Sequence, residues 1–159
     1  MTVLIIVLMT LSLMGSALWI VPSKQDCHRM ALRMLAMQAH LTVKLVSIRL
    51  PDKWDKAKVV HKVCGYAVHR VKPLAKMSDK ALLVTYDVWQ YQQITSGWWC
   101  NKYLPLRDQD KEYLALLLPW VKAIEITRQS IVIYWQEEGD KEVVEIMIKL
   151  LSSLILIQS

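Results

Sequence analysis

The chain begins with nineteen consecutive uncharged residues, Val3 to Val21. As an α-helix rising about 1.5 Å per residue, this run is just long enough to cross a bilayer core of roughly 30 Å. The residues that follow Pro22 are charged and mixed in pattern. We therefore predict a transmembrane anchor at 1–22, an amphipathic juxtamembrane helix at 23–40 and a small α+β domain at 41–159.

A cleaved signal peptide is the alternative for this first segment. Gly15-Ser16-Ala17 has the small residues of a cleavage site and would leave a short apolar core before it. However, Met1-Thr2 supplies no basic head, and the apolar run continues past this site to Trp19 and Val21. Trp19 suits a lipid–water interface. We therefore favour an anchor that is retained.

Basic residues close to the predicted span indicate its orientation. Lys24, Arg29 and Arg33 follow the span within about fifteen residues, the distance over which Lys and Arg are retained on the cytoplasmic side. The three cysteines form an odd, widely spaced set, which is not a disulfide framework and fits a reducing compartment. The domain is therefore expected in the cytoplasm.

Positive charge is concentrated in the half of the chain nearest the predicted membrane. The chain carries a net charge of +6, but residues 22–80 hold thirteen Lys/Arg against four Asp, whereas residues 81–159 hold seven basic against ten acidic residues. Anionic lipid headgroups attract such a segment by about 1 kcal/mol per basic residue close to the surface. Because no nucleic-acid-binding motif accompanies the charge, the bilayer is the expected partner and nucleic acid is not.

The second segment has the pattern of an amphipathic helix. Ser23 and Asp26 can cap a helix that runs to about His40. Its predicted apolar stripe consists of Cys27, Met30, Ala31, Met34, Leu35 and Met37. The helix could lie on the bilayer or pack on the domain, and the sequence leaves both open.

The remaining residues alternate between strand and helix patterns. Strands are predicted at Leu41–Leu50 with a bulge near Leu45-Val46, and at Tyr66–Lys72, Ala81–Tyr91, Trp98–Leu104, Ala123–Thr127 and Ile131–Gln136, with a polar connection at Asp52–Lys62. Helices are predicted at Gln109–Leu118 and from Gly139-Asp140 onward. This order indicates a mostly antiparallel sheet with a C-terminal helix, matching pleckstrin-homology-like barrels in architecture.

Residue groups that carry catalytic chemistry are weakly represented. The four glycines are too dispersed for a phosphate-binding loop, and the common nucleophile and metal motifs are missing from the sequence. His61, Cys64 and His69 lack paired metal-ligand spacing, so ordinary half-buried side chains explain them better than zinc. Cys100 beside Trp98-Trp99 is more typical of an apolar filler than of a nucleophile. We predict no catalytic, metal-binding or cofactor-binding residue.

Tryptophan and lysine mark the predicted contact surface. Trp54 lies in Lys53-Trp54-Asp55-Lys56, where an aromatic side chain among cations suits an interface. Trp98 and Trp99 point to opposite sides of a strand, so at most one of them belongs to the core. The predicted membrane or partner surface comprises Trp19, Lys24, Arg29, Arg33, Lys53, Trp54, Lys56, Lys58, Lys62, Trp98 and Trp99.

Two stretches carry a resemblance to a known group. The first is Ala17-Leu18-Trp19-Ile20-Val21-Pro22-Ser23, followed by the basic helix. The second is Ile133-Tyr134-Trp135-Gln136-Glu137-Glu138-Gly139-Asp140, with Val143-Val144 after it. Together they resemble small single-pass inner-membrane proteins of proteobacteria, some labelled as the accessory membrane subunit of the secretory translocase. The resemblance implies a single-pass location in the bacterial inner membrane and implies no catalytic residue.

Three functions follow as hypotheses. The first is a non-enzymatic, membrane-anchored interaction domain or accessory subunit that contacts other membrane proteins, with the homo-oligomer left open. The second is an anionic-lipid-binding domain that uses Lys53, Lys56, Lys58 and Lys62. The third is a thiol-dependent enzyme that uses Cys100 or a histidine.

Overall fold

A computed structural model describes residues 1–18, 22–74 and 79–156. Within them the chain forms four helices and one seven-stranded sheet in which every strand pairing is antiparallel. The predicted α+β class is confirmed. By its internal contacts the chain divides into two units, Met1–Ala31 and Leu32–Ser159.

The first unit begins with helix α1, Thr2–Leu18. Its side chains are exposed as far as Ser16, and the large apolar ones from Val3 to Met14 are each 50–72% exposed. Among the helices in the described part of the chain, none combines enough length with enough apolar character to cross a membrane.

Helix α2, Lys24–Gln38, begins where the sequence predicts. The Ser23 hydroxyl accepts a hydrogen bond from the Asp26 backbone amide at 3.1 Å and donates one to the Asp26 carboxylate at 2.6 Å. Ser23 therefore satisfies one of the free amides of the first turn and fixes the start of the helix.

The predicted apolar stripe of α2 is not the side of the helix that the fold buries. The fully buried side chains are Leu32 and Ala36, which the predicted stripe does not contain, whereas Met30, Met34 and Met37 are 54–58% exposed. Apolar residues occupy most of the circumference of this helix, so helical periodicity alone does not identify the buried face.

The sheet has the strand order β1-β2-β7-β6-β3-β5-β4. Its strands are β1 Thr42–Pro51, β2 Lys58–His69, β3 Ala81–Val84, β4 Gln92–Thr95, β5 Trp98–Cys100, β6 Val121–Ile126 and β7 Ser130–Trp135. The predicted hairpin of the last two strands is confirmed.

Strands β1 and β2 form a long hairpin whose far half leaves the sheet. They pair residue for residue from Thr42↔Ala67 to Pro51↔Lys58. The predicted bulge near Leu45-Val46 is therefore wrong, and Leu45 is 72% exposed. Because β7 pairs with β2 only from Cys64 onward, residues 46–63 project beyond it. We call residues 46–63 the hairpin arm.

The arm curls over the sheet. Leu50, near its tip, is buried in a cluster with Leu82 and Val84 of β3 and with Ala123 of β6. In the strand order these residues are separated from β1 by β2 and β7, so the arm must bend back across β7 and β6. The Tyr86 hydroxyl donates a 2.6 Å hydrogen bond to the Pro51 carbonyl and ties the arm tip to the chain after β3.

Several strand boundaries differ from those predicted. Strand β2 begins at Lys58, within the predicted polar connection, because the exposed arm shows none of the apolar alternation of a half-buried strand. The predicted Ala81–Tyr91 strand ends at Val84, and a residue with positive φ, Gln90 (68°), precedes the unpredicted β4. Strand β5 ends at Cys100 rather than Leu104.

Helices α3, Asp108–Leu117, and α4, Lys141–Ile155, confirm the two predicted C-terminal helices. The helix side of the sheet forms the main core, in which Ile133 and Trp135 are buried together with Met147 and Leu150 of α4. The opposite side carries the smaller cluster that the arm covers. The sheet is thus packed on both sides, by helices on one and by its own hairpin on the other.

Candidate functional site

The predicted basic residues next to the anchor have different environments. Trp19 lies outside the described residues. Lys24 is exposed and Arg29 is half-buried. Arg33 forms a two-pronged ion pair with Glu137, in which Nε donates to Oε1 at 2.8 Å and Nη2 donates to Oε2 at 2.5 Å. The Arg33 guanidinium is therefore committed to an internal partner.

Glu137 is the centre of a buried polar cluster. Its side chain is 3% exposed, and its Oε1 also accepts a 3.1 Å hydrogen bond from the Tyr66 hydroxyl. The Tyr66 ring meets the Trp135 ring edge to face, with centroids 5.3 Å apart. Glu137 has a positive φ of 58°, a conformation costly for a residue with a side chain. The cluster joins α2, β2 and the segment after β7.

The cluster holds Glu137 charged. Burial alone would raise the pKa of Glu137, but hydrogen bonds from Arg33, Cys64 and Tyr66, with the Arg33 charge, hold that pKa below its ordinary value. Burial and the Glu137 carboxylate in turn raise the pKa of Tyr66 and raise that of Cys64 to about 12. Tyr66 and Cys64 are therefore neutral donors at neutral pH, as a structural cluster requires.

The predicted metal and thiol candidates do not form a reactive group. His61 and Cys64 point to opposite faces of β2, and His69 is exposed while Cys64 is buried. Within the described ranges, three or more metal-competent side chains nowhere come together. Burial raises the pKa of the Cys100 thiol, which disfavours the thiolate that nucleophilic attack needs.

Trp98 and Trp99 lie on opposite faces of β5, as expected for adjacent residues of a strand. Trp98 is fully buried, and its Nε1 donates a 2.7 Å hydrogen bond to the Leu114 carbonyl of α3. Trp98 therefore contributes to the core and not to a surface, which corrects the sequence interpretation. Trp99 is half-buried on the opposite side, beside the cluster under the arm.

The predicted lysine-rich surface lies on the hairpin arm. Lys53, Trp54 and Lys56 belong to the connection at its tip, and Lys58 and Lys62 to β2; all five are exposed. The Trp54 and Trp89 rings lie 6.4 Å apart between centroids, and each side chain is 59% exposed. The Trp89 amide donates a 2.8 Å hydrogen bond to the Lys53 carbonyl and so holds the tip in place.

A cleft of about 310 Å³ lies between the hairpin arm and the sheet. We call it the arm cleft. The charged and polar residues along it are Arg49 and Lys58 from the arm, and Lys80, Glu125 and Tyr134 from the sheet side, with Leu50 and Leu82 among its apolar residues. Lys80 Nζ lies 3.3 Å from Glu125 Oε2. Three cations and one carboxylate thus border this concave surface, with Arg49 and Lys58 on the face of the arm opposite to Leu50.

Sequence reasoning identified Lys58 but missed the rest of this cleft. Its residues come from β1, β2, the start of β3, β6 and β7, so no local spacing brings them together. The basic balance of residues 22–80 was the available signal, since it includes Arg49, Lys58 and Lys80. That signal does not reveal the curl of the arm, which creates the cleft.

Comparison with protein-family models, with curated proteins and with solved structures gives no match.

Proposed function

We propose that this chain is a non-enzymatic, membrane-anchored interaction domain, an accessory subunit of a bacterial inner-membrane assembly with its C-terminal domain in the cytoplasm. The observation that carries this proposal is the surface of α1. Its large apolar side chains between Val3 and Met14 are exposed around the whole helix rather than along one side. A helix that is apolar all round requires an apolar environment, which a bilayer provides.

The length of the uncharged run supports insertion. Helix α1 has seventeen residues, or about 25 Å at 1.5 Å per residue. This is shorter than a bilayer core of roughly 30 Å, but the uncharged sequence continues beyond α1 to Val21. A slightly short span can be accommodated by local thinning of the bilayer.

Charge supports the cytoplasmic orientation. Lys24 and Arg29 follow the anchor closely, and the exposed lysines of the hairpin arm add positive charge to the same half of the chain. Basic residues near a span are retained on the cytoplasmic side. The engagement of Arg33 with Glu137 removes one predicted contributor without changing the sign of this bias.

The state of the buried thiols supports a non-enzymatic role. A nucleophilic cysteine needs a lowered pKa and access to substrate. Burial raises the pKa of both Cys64 and Cys100, and both side chains are buried.

The second candidate is an anionic-lipid-binding domain, favoured by the exposure of Lys53, Lys56, Lys58 and Lys62 on one hairpin arm. Binding through these lysines would depend steeply on salt, because exposed charges are screened within about 10 Å at 0.1 M ionic strength. Equal recovery of the anchor-free chain, residues 23–159, on neutral and anionic vesicles would exclude it.

The anchor is tested by fractionating cells that produce the full chain. We expect the protein to stay with the membrane pellet after an alkaline carbonate wash. Leu8→Arg, in the middle of α1, should release most of it, because a charge at the centre of a span costs about 2.5–3.5 kcal/mol. Leu45→Arg is the matched control, since Leu45 is equally apolar and exposed but lies on β1. Wild-type protein in the carbonate supernatant would overturn the anchor.

The interaction role is tested with a photo-crosslinking amino acid placed in native membranes. A crosslinker at Trp54 should yield a defined adduct with another membrane protein, and one at Tyr103, 82% exposed beside β4, should not. The same weak, diffuse adducts from both positions would contradict an interaction surface on the hairpin arm.

A further inference from the structure

We propose that the arm cleft is a binding site for a phosphate monoester. The proposal rests on the cleft alone and does not depend on the membrane anchor. The expected ligand is a small organic group that carries a dianionic phosphate. Either a soluble metabolite or a lipid headgroup can supply it.

The charges along the cleft favour such a ligand. Arg49, Lys58 and Lys80 contribute three positive charges and Glu125 one negative charge, which leaves a net charge of +2. A phosphate monoester carries about −1.5 to −2 at pH 7. A concave surface with one dominant sign of charge and a low-dielectric wall focuses the electrostatic potential into the cavity. The apolar side chains of Leu50 and Leu82 supply that wall.

Tyr134 adds a neutral donor to these cations. Burial and the neighbouring Glu125 raise the pKa of Tyr134 to about 12, so its hydroxyl keeps its proton at neutral pH. The ring lies against Gly65 of β2, where an added Cβ would be 3.2 Å from Tyr134 Cε1. Glycine at position 65 therefore leaves room for the ring beside the strand.

The cleft is large enough for a ligand bigger than inorganic phosphate. Its volume of about 310 Å³ is at the lower end of the range of roughly 300–1,000 Å³ typical of small-molecule sites. Phosphate oxygens would contact the cations, and a glycerol-sized group would lie against Leu50 and Leu82. A diester has one charge fewer and would match the cations less well.

The arm is held in place before any ligand arrives. The Tyr86 hydroxyl bonds to the Pro51 carbonyl at 2.6 Å, and the Trp89 amide bonds to the Lys53 carbonyl at 2.8 Å. Burial of Leu50 against Leu82 adds an apolar contact. A preformed cleft avoids much of the entropy cost of ordering a loop upon binding.

The test is a calorimetric titration of the full chain in uncharged detergent micelles. Glycerol phosphate is expected to bind more tightly than inorganic phosphate. Arg49→Gln/Lys58→Gln should weaken glycerol phosphate binding at least about tenfold, since hydrogen bonds to charged groups are worth about 1.5–3 kcal/mol each. The matched control, Lys53→Gln/Lys56→Gln, removes the same charge from the arm tip and should change the affinity less than about twofold.

Glu125→Gln provides a test of opposite sign. Removing this carboxylate frees Lys80 from its partner and raises the net charge of the cleft to +3. We expect glycerol phosphate to bind a few-fold more tightly to this variant. Because a misfolded variant would lose affinity, a gain cannot be attributed to damage of the fold.

Two nanodisc preparations of equal total charge distinguish the sources of phosphate. One contains phosphatidic acid, a phosphate monoester, and the other phosphatidylglycerol, a diester. Weaker glycerol phosphate binding to the chain in the phosphatidic acid discs assigns the cleft to a headgroup, and equal binding in both assigns it to a soluble ligand. The proposal is overturned if glycerol phosphate does not bind the chain in micelles. It is also overturned if Arg49→Gln/Lys58→Gln and Lys53→Gln/Lys56→Gln weaken glycerol phosphate binding equally.

Discussion

Glu137 shows how one side chain can connect distant parts of a small fold. Its carboxylate joins Arg33, which lies 104 residues earlier in the chain, to the Tyr66 hydroxyl of β2. Since the carboxylate is almost fully buried, its charge is tolerated because these donors satisfy it. A buried pair of this kind adds little net stability by itself, but loss of one partner is costly.

Glu137→Gln should therefore destabilise the second unit by about 2–3 kcal/mol, because an amide cannot balance the Arg33 charge. The measurement is a urea unfolding midpoint of the full chain in mild detergent, followed by tryptophan fluorescence. Glu138→Gln removes the same charge from the exposed neighbouring position and should stay within about 0.5 kcal/mol of wild type. Equal effects of the two substitutions would contradict the role of the cluster.

The Glu137 carboxylate should also make the unfolding free energy depend on pH. The pKa of folded Glu137 is lowered, so its contribution to stability is present above the unfolded pKa of about 4.3 and is lost as the pH falls through the folded value. The difference in unfolding free energy between wild type and Glu137→Gln should be constant from pH 7 to about 5 and shrink below about 4. A difference that grows on acidification would have the wrong sign.

Arg33 shows which properties of a residue can be predicted from local sequence and which cannot. Its closeness to the uncharged run predicts a cation at the membrane surface, whereas the structure pairs it with the buried Glu137 carboxylate. Its partner is set by tertiary structure, because the docking of α2 through Leu32 and Ala36 turns Arg33 toward Glu137. Contacts across 104 residues leave no periodic signal.

Helices α3 and α4 are joined through another buried carboxylate, Asp110. It is fully buried, accepts a hydrogen bond from the Arg107 backbone amide at 3.2 Å and accepts a short one from the Ser153 hydroxyl of α4. Asp110 thus closes the first turn of α3 and links it to the last turn of α4. Loss of this contact should affect both helix ends together.

Asp110→Ala should lower the unfolding free energy by about 2 kcal/mol, since it leaves the Arg107 amide and the Ser153 hydroxyl without this acceptor. The comparison is Asp108→Ala, which removes an almost fully exposed carboxylate two residues earlier in the same turn and should cost less than about 1 kcal/mol. Thermal unfolding of both variants by circular dichroism measures the difference. A similar loss of unfolding free energy in both variants would mean that Asp110 acts only through its charge near the start of α3.

At the level of elements, the C-terminal half was the more predictable part of the chain. Helix α4 and strand β7 were predicted correctly because each has one fully buried side, so burial leaves a clear apolar period in the sequence. The hairpin arm and β4 were missed for the opposite reason. Exposed strands stabilised by backbone pairing place little constraint on side chains, and the arm cleft depends on both the arm and its curl.

For the whole molecule, we propose that the exposed apolar helix α1 lies in a bilayer and that the basic second unit lies in the cytoplasm. The cysteines provide a natural probe of this arrangement. Cys27 is exposed shortly after the predicted anchor, whereas Cys64 and Cys100 are buried in the core. A thiol reagent should therefore report on the compartment of Cys27.

The most direct test is labelling of spheroplasts with a membrane-impermeant maleimide before and after the inner membrane is opened. Wild-type chain should be labelled only after opening, and Cys27→Ser should remove the signal. A Thr2→Cys/Cys27→Ser variant should show the opposite pattern, since its thiol would face outward. Full labelling of Cys27 in intact spheroplasts, or recovery of the wild-type chain in the soluble fraction, would contradict the account.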